Sequence, residues 1–187
     1  MTRIGYMGIP GSNSEAAAME FRERNGLADA ELVPLMDSRG VVDAMEKGEC
    51  EYGVVATRNI VAGPVEETER SLDGKDWMET IDEIWVPIHH CVFVKDPSLP
   101  VNRISSHIQA LLQCRNNLDS LYPGVERIES EDTALSAKQL AEGDLPGDSA
   151  VLCRSNAGEM FGLVMVHENI EDDPTNMTQF HLLHGSD

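Results

Sequence analysis

Basic residues are scarce in this sequence. Of its 187 residues only 14 are Lys or Arg, against 33 Asp or Glu, so the formal net charge is 14 − 33 = −19. Proteins that bind nucleic acids hold the phosphate backbone with clustered Lys and Arg side chains, and the sequence has no such cluster. The same shortage disfavours an anionic membrane surface. The composition therefore predicts that neither nucleic acid nor membrane is a partner.

Long apolar runs and targeting segments are also missing. No stretch approaches the roughly 18 apolar residues of a membrane span. Residues 1–5 lack the basic start and the apolar run of roughly 7–15 residues that a signal peptide needs. We therefore expect a cytoplasmic protein.

Cysteines are few and far apart. The sequence has four, at positions 50, 91, 114 and 153, and none forms a Cys-x-x-Cys pair. This spacing favours neither a disulfide framework nor a zinc site, so we predict buried thiols. The run His89-His90-Cys91 resembles a metal cluster, but adjacent side chains on an extended segment diverge. We predict that one of the two histidines points inward and is hydrogen-bonded, and we expect no metal and no cofactor.

The chain does contain a regular alternation of β-branched runs and helical patterns, and 41% of its residues are hydrophobic. This pattern predicts an α/β fold with largely parallel sheets. Ile4–Met7 is a predicted strand, followed at Ser12–Glu15 by a capping box that starts a helix. Tyr52–Ala56 is a predicted buried strand that ends at Thr57-Arg58-Asn59. After His107, the spacing of apolar residues indicates an amphipathic helix.

Two polar clusters suggest chemistry. Ser106 and His107 suggest a nucleophile and its base, but adjacent strand residues face opposite sides and the G-x-S-x-G elbow is absent, so a hydrolase is disfavoured. The run Asn176–Gln179 is more informative, because its groups can orient an oxygen-rich anion or protonate a leaving oxygen without changing charge. The alternative is an Asn/Thr turn that enters an edge strand.

Seven segments, taken in order, resemble the catalytic domain of prephenate dehydratase, an enzyme of phenylalanine biosynthesis. The family begins with a strand and G-P-x-G-T-F-S-E-x-A, continues with Y-G-V-V-P-I-E-N-S-x-x-G-x-V, P-I-x-H-C-L and S-H-P-Q-A-L-x-Q-C, and ends with N-x-T-R-F. The segments that correspond to these five motifs are residues 4–17, 52–65, 87–91, 106–114 and 176–180, and residues 132–137 and 157–163 continue the resemblance in the same order.

The resemblance implies a single domain over residues 1–187, built as two α/β lobes like a type II periplasmic binding protein, with an active-site cleft between them. Lobe 1 is expected at about 1–84 and 170–187, and lobe 2 at about 85–169. Most members carry a phenylalanine-sensing ACT domain after the last motif. Because the sequence ends at Asp187, we expect it to lack that domain. A homodimer is also implied.

The resemblance also assigns roles to residues. Thr178 is the expected proton donor to the departing hydroxyl of prephenate, a small dicarboxylate. The expected substrate-binding positions are Asn59, Arg58, Ser106, Gln109, Gln113, Thr133, Ser12, Ser14, Asn176 and Gln179. Among these, Ser12 and Ser14 belong to a helix start whose N–H groups suit a carboxylate.

Two departures from the family pattern change charge. The Arg of N-x-T-R-F is Gln179, and the Glu of P-I-E-N-S is Arg58. A neutral amide does not replace a bidentate guanidinium–carboxylate pair. If both positions face the same cleft, Arg58 supplies the charge that Gln179 lacks.

Three functional hypotheses follow. The favoured one is a prephenate dehydratase, because Thr178, Asn59 and the segment 106–113 are retained. The second is a divergent enzyme on the same scaffold, such as a prephenate decarboxylase that keeps the ring hydroxyl, although retention of Thr178 argues against it. The third is a catalytically silent binding protein.

Overall fold

The computed structural model describes residues 1–185. The elements follow the chain in this order: β1 Arg3–Tyr6, α1 Asn13–Arg24, β2 Glu31–Pro34, α2 Ser38–Glu46, β3 Tyr52–Asn59, β4 Gly63–Pro64, α3 Glu66–Leu72, β5 Met78–Pro87, β6 Cys91–Val94, β7 Arg103–His107, α4 Ile108–Gln113, α5 Arg115–Leu121, β8 Glu126–Ser130, α6 Thr133–Glu142, β9 Ser149–Cys153, α7 Ser155–Met160, β10 Val164–His167 and β11 Met177–Gly185.

The chain divides into two compact units. The first unit holds Met1–Ile9, Asn13–Pro87 and the chain from Met177 onward; the second holds Pro10–Ser12 and Ile88–Asn176. The chain passes from the first unit to the second after Pro87 and returns after Asn176. Both of these crossings lie further along the chain than the sequence predicts. One reason is that β5 continues through Pro87. The other is that the segment before Met177 bonds to the second unit, for example through Ile170 N–H to the carbonyl of His90 at 2.8 Å.

The first unit is built on a sheet of strand order β2-β1-β3-β11-β5, with β4 paired to β3. Strands β1, β2 and β3 are parallel, whereas β11 runs antiparallel to both of its neighbours. Helix α1 buries Ala17, Ala18 and Phe21 against one face of this sheet. Helix α2 buries Val41, Ala44 and Met45 in a separate cluster with Val55 and Leu183.

The second unit has a sheet of order β10-β6-β9-β7-β8. Strands β7, β8 and β9 are parallel to one another. Strand β6 runs antiparallel to β9, and β10 runs antiparallel to β6. Leu111 and Leu118, from α4 and α5, pack on this sheet with Val92 and Leu152. Helices α6 and α7 also contact the sheet, through β9 and β10.

The α/β class is confirmed, but three details of the prediction are wrong. Both sheets are mixed rather than largely parallel, because the strands at the two crossings run antiparallel to their neighbours. The strand predicted at Tyr52–Ala56 continues through Asn59, because β11 also pairs with Arg58 and Asn59. The helix after His107 is two helices, since Cys114 has φ −110° and ψ 11° between α4 and α5.

The four cysteines are free and buried, as predicted. Burial raises the pKa of the Cys50 and Cys91 thiols, which keeps them protonated. Within residues 1–185, no helix combines the length and apolar character required to span a bilayer.

Close packing of α7 against β6 gives a stability prediction. A Cβ atom on Gly158 would lie 2.4 Å from two atoms of the Phe93 ring, which is fully buried. Overpacking a core typically costs about 1–3 kcal/mol, and the higher helix propensity of Ala than of Gly offsets about 1 kcal/mol of this cost. We expect Gly158→Ala to lower the free energy of unfolding in urea. Gly147→Ala is the control, because nothing lies within 4 Å of its Cβ position; equal stability of the two variants would contradict this packing.

Candidate active site

Thr178 stands at the start of β11, directly opposite Asn59 on β3. The Asn59 side chain is buried, with 6% of the residue exposed, and its Nδ2 donates to the Thr178 hydroxyl oxygen at 2.9 Å. The same Nδ2 donates to the carbonyl of Met177 at 3.0 Å. Two predicted site residues that are 119 positions apart are therefore joined by strand pairing.

The other end of the Asn59 amide fixes its orientation. Its Oδ1 accepts hydrogen bonds from the backbone N–H groups of Val61 and Ala62, both at 2.9 Å. Only one orientation of the amide satisfies these donors and acceptors together. Because the Thr178 oxygen accepts from Asn59, the Thr178 hydroxyl proton is directed elsewhere. Thr178 is therefore held as a hydrogen-bond donor.

The strand pattern shows which face of the first sheet carries Thr178. It pairs with Val86 on β5, and Phe180 pairs with Ile84. Val86, Ile84 and Phe180 all belong to the core beneath α1, and side chains two apart on a strand share a face. Thr178 thus lies on the α1 face. Helix α1 begins at Asn13 and includes the half-buried Ser14 in its first turn.

Arg58 and Gln179 are directly opposite each other on β3 and β11. Each adjoins a residue of the Asn59–Thr178 pair, so each points to the other face of the sheet. Gln179 donates from Nε2 to Glu83 at 3.1 Å, and Arg58 is exposed. This placement does not support the predicted clamp, because strand alternation turns Arg58 away from Thr178.

The remaining predicted residues lie in the second unit. Ser106 is fully buried, and its hydroxyl donates to the carbonyl of Leu152 on β9 at 2.8 Å. This structural contact engages the hydroxyl proton of Ser106, and its predicted contact with substrate stays a prediction. Gln109 is exposed in the first turn of α4, and Thr133 is half-buried in the first turn of α6.

Ser12 is also in the second unit and is buried. The preceding Gly11 has φ +92°, and a Cβ there would meet Ala157 at 3.0 Å. Glycine is required by this backbone and this close approach to α7. The predicted helix start is thus divided, because Ser12 belongs to one unit and Ser14 to the other.

Gln113 and Asn176 are buried, with 9% and 1% exposed. The Oε1 of Gln113 accepts from Nδ2 of Asn176 at 2.9 Å, and it lies 2.8 Å from Nε2 of His90. His90 is 3% exposed, whereas His89 is exposed. The prediction that one of the two histidines points inward with a hydrogen bond is confirmed, but its link to Gln113 and Asn176 could not be read from the sequence.

Glu171 is a further residue of this region that was not predicted from the sequence. Its carboxylate binds Nδ1 of His89 at 2.7 Å and the backbone N–H of His90 at 3.0 Å. Burial alone would raise the pKa of Glu171, but the hydrogen bonds from His89 and His90 outweigh it and lower the pKa. Burial lowers the pKa of His90, which keeps its imidazole neutral despite the Gln113 contact.

Arg154 was not predicted from the sequence either. It follows β9 at the carboxyl end of that strand and caps α7 with its backbone. Burial lowers the pKa of this half-buried guanidinium. Among residues 1–185, no group of three His, Cys, Asp or Glu side chains is arranged to hold a metal ion.

A model of the family described as prephenate dehydratase matches residues 4–187. The chain belongs to the prephenate dehydratase family. This match confirms the family that the sequence motifs predict. Thr178 and Asn59 therefore belong to a chain of that family. The Gln179 and Arg58 substitutions are departures within the family.

Two relatives show how far the similarity extends. The bifunctional chorismate mutase/prephenate dehydratase of Pseudomonas aeruginosa is 32% identical over 97% of this chain and 48% of its own length. Arogenate dehydratase 1 of Petunia hybrida is 30% identical over 97% of this chain and 42% of its own length. The chain thus spans less than half the length of these two relatives.

Solved structures confirm the fold. The prephenate dehydratase of Arthrobacter aurescens, in complex with L-Phe, is 29% identical, with a TM-score of 0.86 over 100% of this chain and 60% of that chain. A periplasmic substrate-binding protein from Coxiella burnetii is 13% identical, with a TM-score of 0.53 over 99% of this chain and 84% of that one. The periplasmic-binding-protein-like α/β class is therefore correct.

The pairing of positions 58 and 179 yields a prediction. Arg58 and Gln179 stand where the family pattern has Glu and Arg, so two separate departures fall on one cross-strand pair. Opposite charges across strands contribute about 0.2–1 kcal/mol. We expect Arg58→Glu and Gln179→Arg together to be more stable in urea than the sum of the single changes predicts, by about that amount.

The control cycle combines Arg58→Glu with Met19→Arg, an exposed position on α1, which packs on the opposite face of the same sheet. Its two changes should be additive. A coupling of zero at positions 58 and 179 would show that their side chains do not interact.

Glu171 gives a pH prediction. A carboxyl whose folded-state pKa is lowered adds stability above its unfolded value of about 4.3, and this stability is lost as pH falls through the folded-state pKa. We therefore expect the urea midpoint of the wild type to fall more steeply than that of Glu171→Gln between about pH 5 and pH 3. The exposed Glu168 provides the control, Glu168→Gln, which should follow the wild type. Parallel curves for Glu171→Gln and the wild type would contradict the proposed bonding.

Proposed function

We propose that this chain catalyses the dehydration and decarboxylation of prephenate to phenylpyruvate. The observation that carries this function is the Asn59–Thr178 pair, in which a buried amide donates to the Thr178 oxygen at 2.9 Å and leaves the hydroxyl proton available. Membership of the family supports the reaction class.

The chemistry requires few groups. Prephenate carries a ring carboxylate, a pyruvyl carboxylate and a ring hydroxyl. The bond from the ring to its carboxylate breaks, its electron pair enters the ring, and the C–O bond to the hydroxyl breaks with proton transfer. The dianion and one proton give phenylpyruvate anion, carbon dioxide and water. Aromatisation drives the reaction, so a positioned donor such as Thr178 is the main requirement.

Arogenate is a second candidate substrate. It shares the ring carboxylate and hydroxyl but has an amino group in place of the keto group, and the same reaction would give phenylalanine. The observation that favours it is the similarity to relatives named arogenate dehydratase, at 30% identity for the Petunia protein. Thr178 would serve either substrate, because both lose the same ring hydroxyl.

We also propose a homodimer and a cytoplasmic location. The homodimer follows from the family resemblance, and light scattering on the purified chain measures it. For the cytoplasmic location, relatives of this chain differ, since some from Arabidopsis thaliana are named chloroplastic. The strongly acidic charge supports a function without nucleic acid.

Incubation of the purified chain with prephenate and, separately, with arogenate tests the proposal. Phenylpyruvate from prephenate, identified by mass and ultraviolet absorbance, supports the main function, and phenylalanine formed only from arogenate supports the second. A dihydro-hydroxyphenylpyruvate would indicate a decarboxylase. Unchanged substrates in both incubations would indicate a silent binding protein.

Thr178 is tested by substitution. General acid catalysis is typically worth 10²–10⁴-fold, so Thr178→Ala should lower kcat by about that factor, and Thr178→Ser should recover most of it because the hydroxyl is retained. The control is Thr175→Ala: this exposed hydroxyl bonds to Asp173 at 2.6 Å. A kcat within about threefold of wild type in Thr178→Ala would rule out the donor role.

A further inference from the structure

Gln113, Asn176 and His90 form a buried hydrogen-bonded triad in the second unit. One oxygen, Oε1 of Gln113, lies 2.8 Å from Nε2 of His90 and 2.9 Å from Nδ2 of Asn176. An amide oxygen only accepts hydrogen bonds, so His90 carries its proton on Nε2. Among residues 1–185, the other ring nitrogen of His90 has no hydrogen-bond partner. The bond to Gln113 is therefore the polar contact that orients the imidazole.

The triad is anchored in the backbone. The N–H of His90 donates to Glu171 at 3.0 Å, and the carbonyl of Gln113 accepts from the N–H of Asp172 at 2.7 Å. The N–H of Ile88 donates to the carbonyl of Asn176 at 2.9 Å. The first and last residues of the second unit's long segment are thus bonded to each other, with the triad beside them.

This arrangement fixes the chain just before Thr178. The side chain and the carbonyl of Asn176 are both bonded, as described above. The next residue, Met177, accepts at its carbonyl from Nδ2 of Asn59 at 3.0 Å and from the N–H of Ile60 at 3.0 Å. Two consecutive carbonyls are therefore held immediately before the Thr178 hydroxyl.

We propose that His90, Gln113 and Asn176 are positioning residues that set the backbone from which Thr178 presents its hydroxyl. The inference rests on the proposed function for its kinetic consequence. It differs from the family-based expectation, in which Gln113 and Asn176 contact substrate. Both side chains are buried, and Oε1 of Gln113 and Nδ2 of Asn176 are engaged with protein groups, as expected of residues that hold the backbone in place.

The kinetic test uses His90→Leu and Gln113→Leu, which remove the central bonds. A reacting group displaced by about 1 Å loses up to 10²-fold in rate, so we expect kcat to fall by at least about tenfold while KM stays within about twofold. His90→Gln, whose amide nitrogen is placed like Nε2 of the imidazole, should restore most of kcat. A KM that rises with kcat unchanged would assign these residues to substrate binding and overturn the proposal.

The matched control is Ser105→Ala, another buried polar residue of the second unit, 1% exposed, whose hydroxyl lies 3.4 Å from that of Ser136. It loses a buried hydrogen bond without touching the triad. The proposal requires its kcat to stay near that of the wild type. If Ser105→Ala and the two leucine variants lost kcat equally, the triad would have a purely structural role and the proposal would fail.

A second measurement does not depend on activity. Hydrogen exchange of the backbone amides of residues 177–179, followed by NMR, should be faster by about tenfold or more in His90→Leu and Gln113→Leu, because local opening of the strand becomes easier. It should be unchanged in Ser105→Ala and near normal in His90→Gln. Unchanged exchange in the leucine variants overturns the proposal whether or not the wild type is active. If the wild type is inactive but exchange is faster in the leucine variants, only the proposed function is refuted.

Discussion

The side chain of Asn59 is the interaction on which the candidate site depends. It is buried and bonded at all four of its polar positions, to the Met177 carbonyl, the Thr178 hydroxyl and two backbone N–H groups. These bonds fix the register of β3 against β11. A slip of one residue would turn Thr178 to the other face and bring Gln179 into its place. The register shift between Gln179 and Phe180 lies just beyond this contact and leaves the register of the pair intact.

The orientation of Arg58 matters because the protein is strongly acidic and the proposed substrate is an anion. The proposed substrate is a dianion and the chain has a net charge of −19, so binding would require local donors that outweigh the overall field. With Arg58 on the opposite face from Thr178, that requirement falls on other groups. On the α1 face, these are backbone N–H groups at a helix start, where the helix dipole favours anions.

Much of the fold and part of the site could be predicted from the sequence. The order of strands and helices follows from local hydrophobic periodicity, and the motifs around Asn59 and Thr178 led to the family. Two features could not be predicted because they depend on contacts between distant residues. The pairing of Arg58 with Gln179 is a matter of register between β3 and β11. The burial of Ser106 and Gln113 depends on which strand or helix covers them, and a polar side chain in a motif looks the same whether it contacts substrate or protein.

The position of β11 has a consequence for biosynthesis. This strand lies between β3 and β5 in the first sheet, yet it follows the whole of the second unit in the chain. During translation, every residue of the second unit leaves the ribosome before the strand that completes the first sheet. Because domains generally fold as units while the chain is made, the second unit can reach its folded state first. Until β11 is synthesised, β3 and β5 remain unpaired along the edges that β11 later joins. Unpaired edges of this kind are prone to aggregation, so this interval is when the nascent protein is most exposed to misassembly.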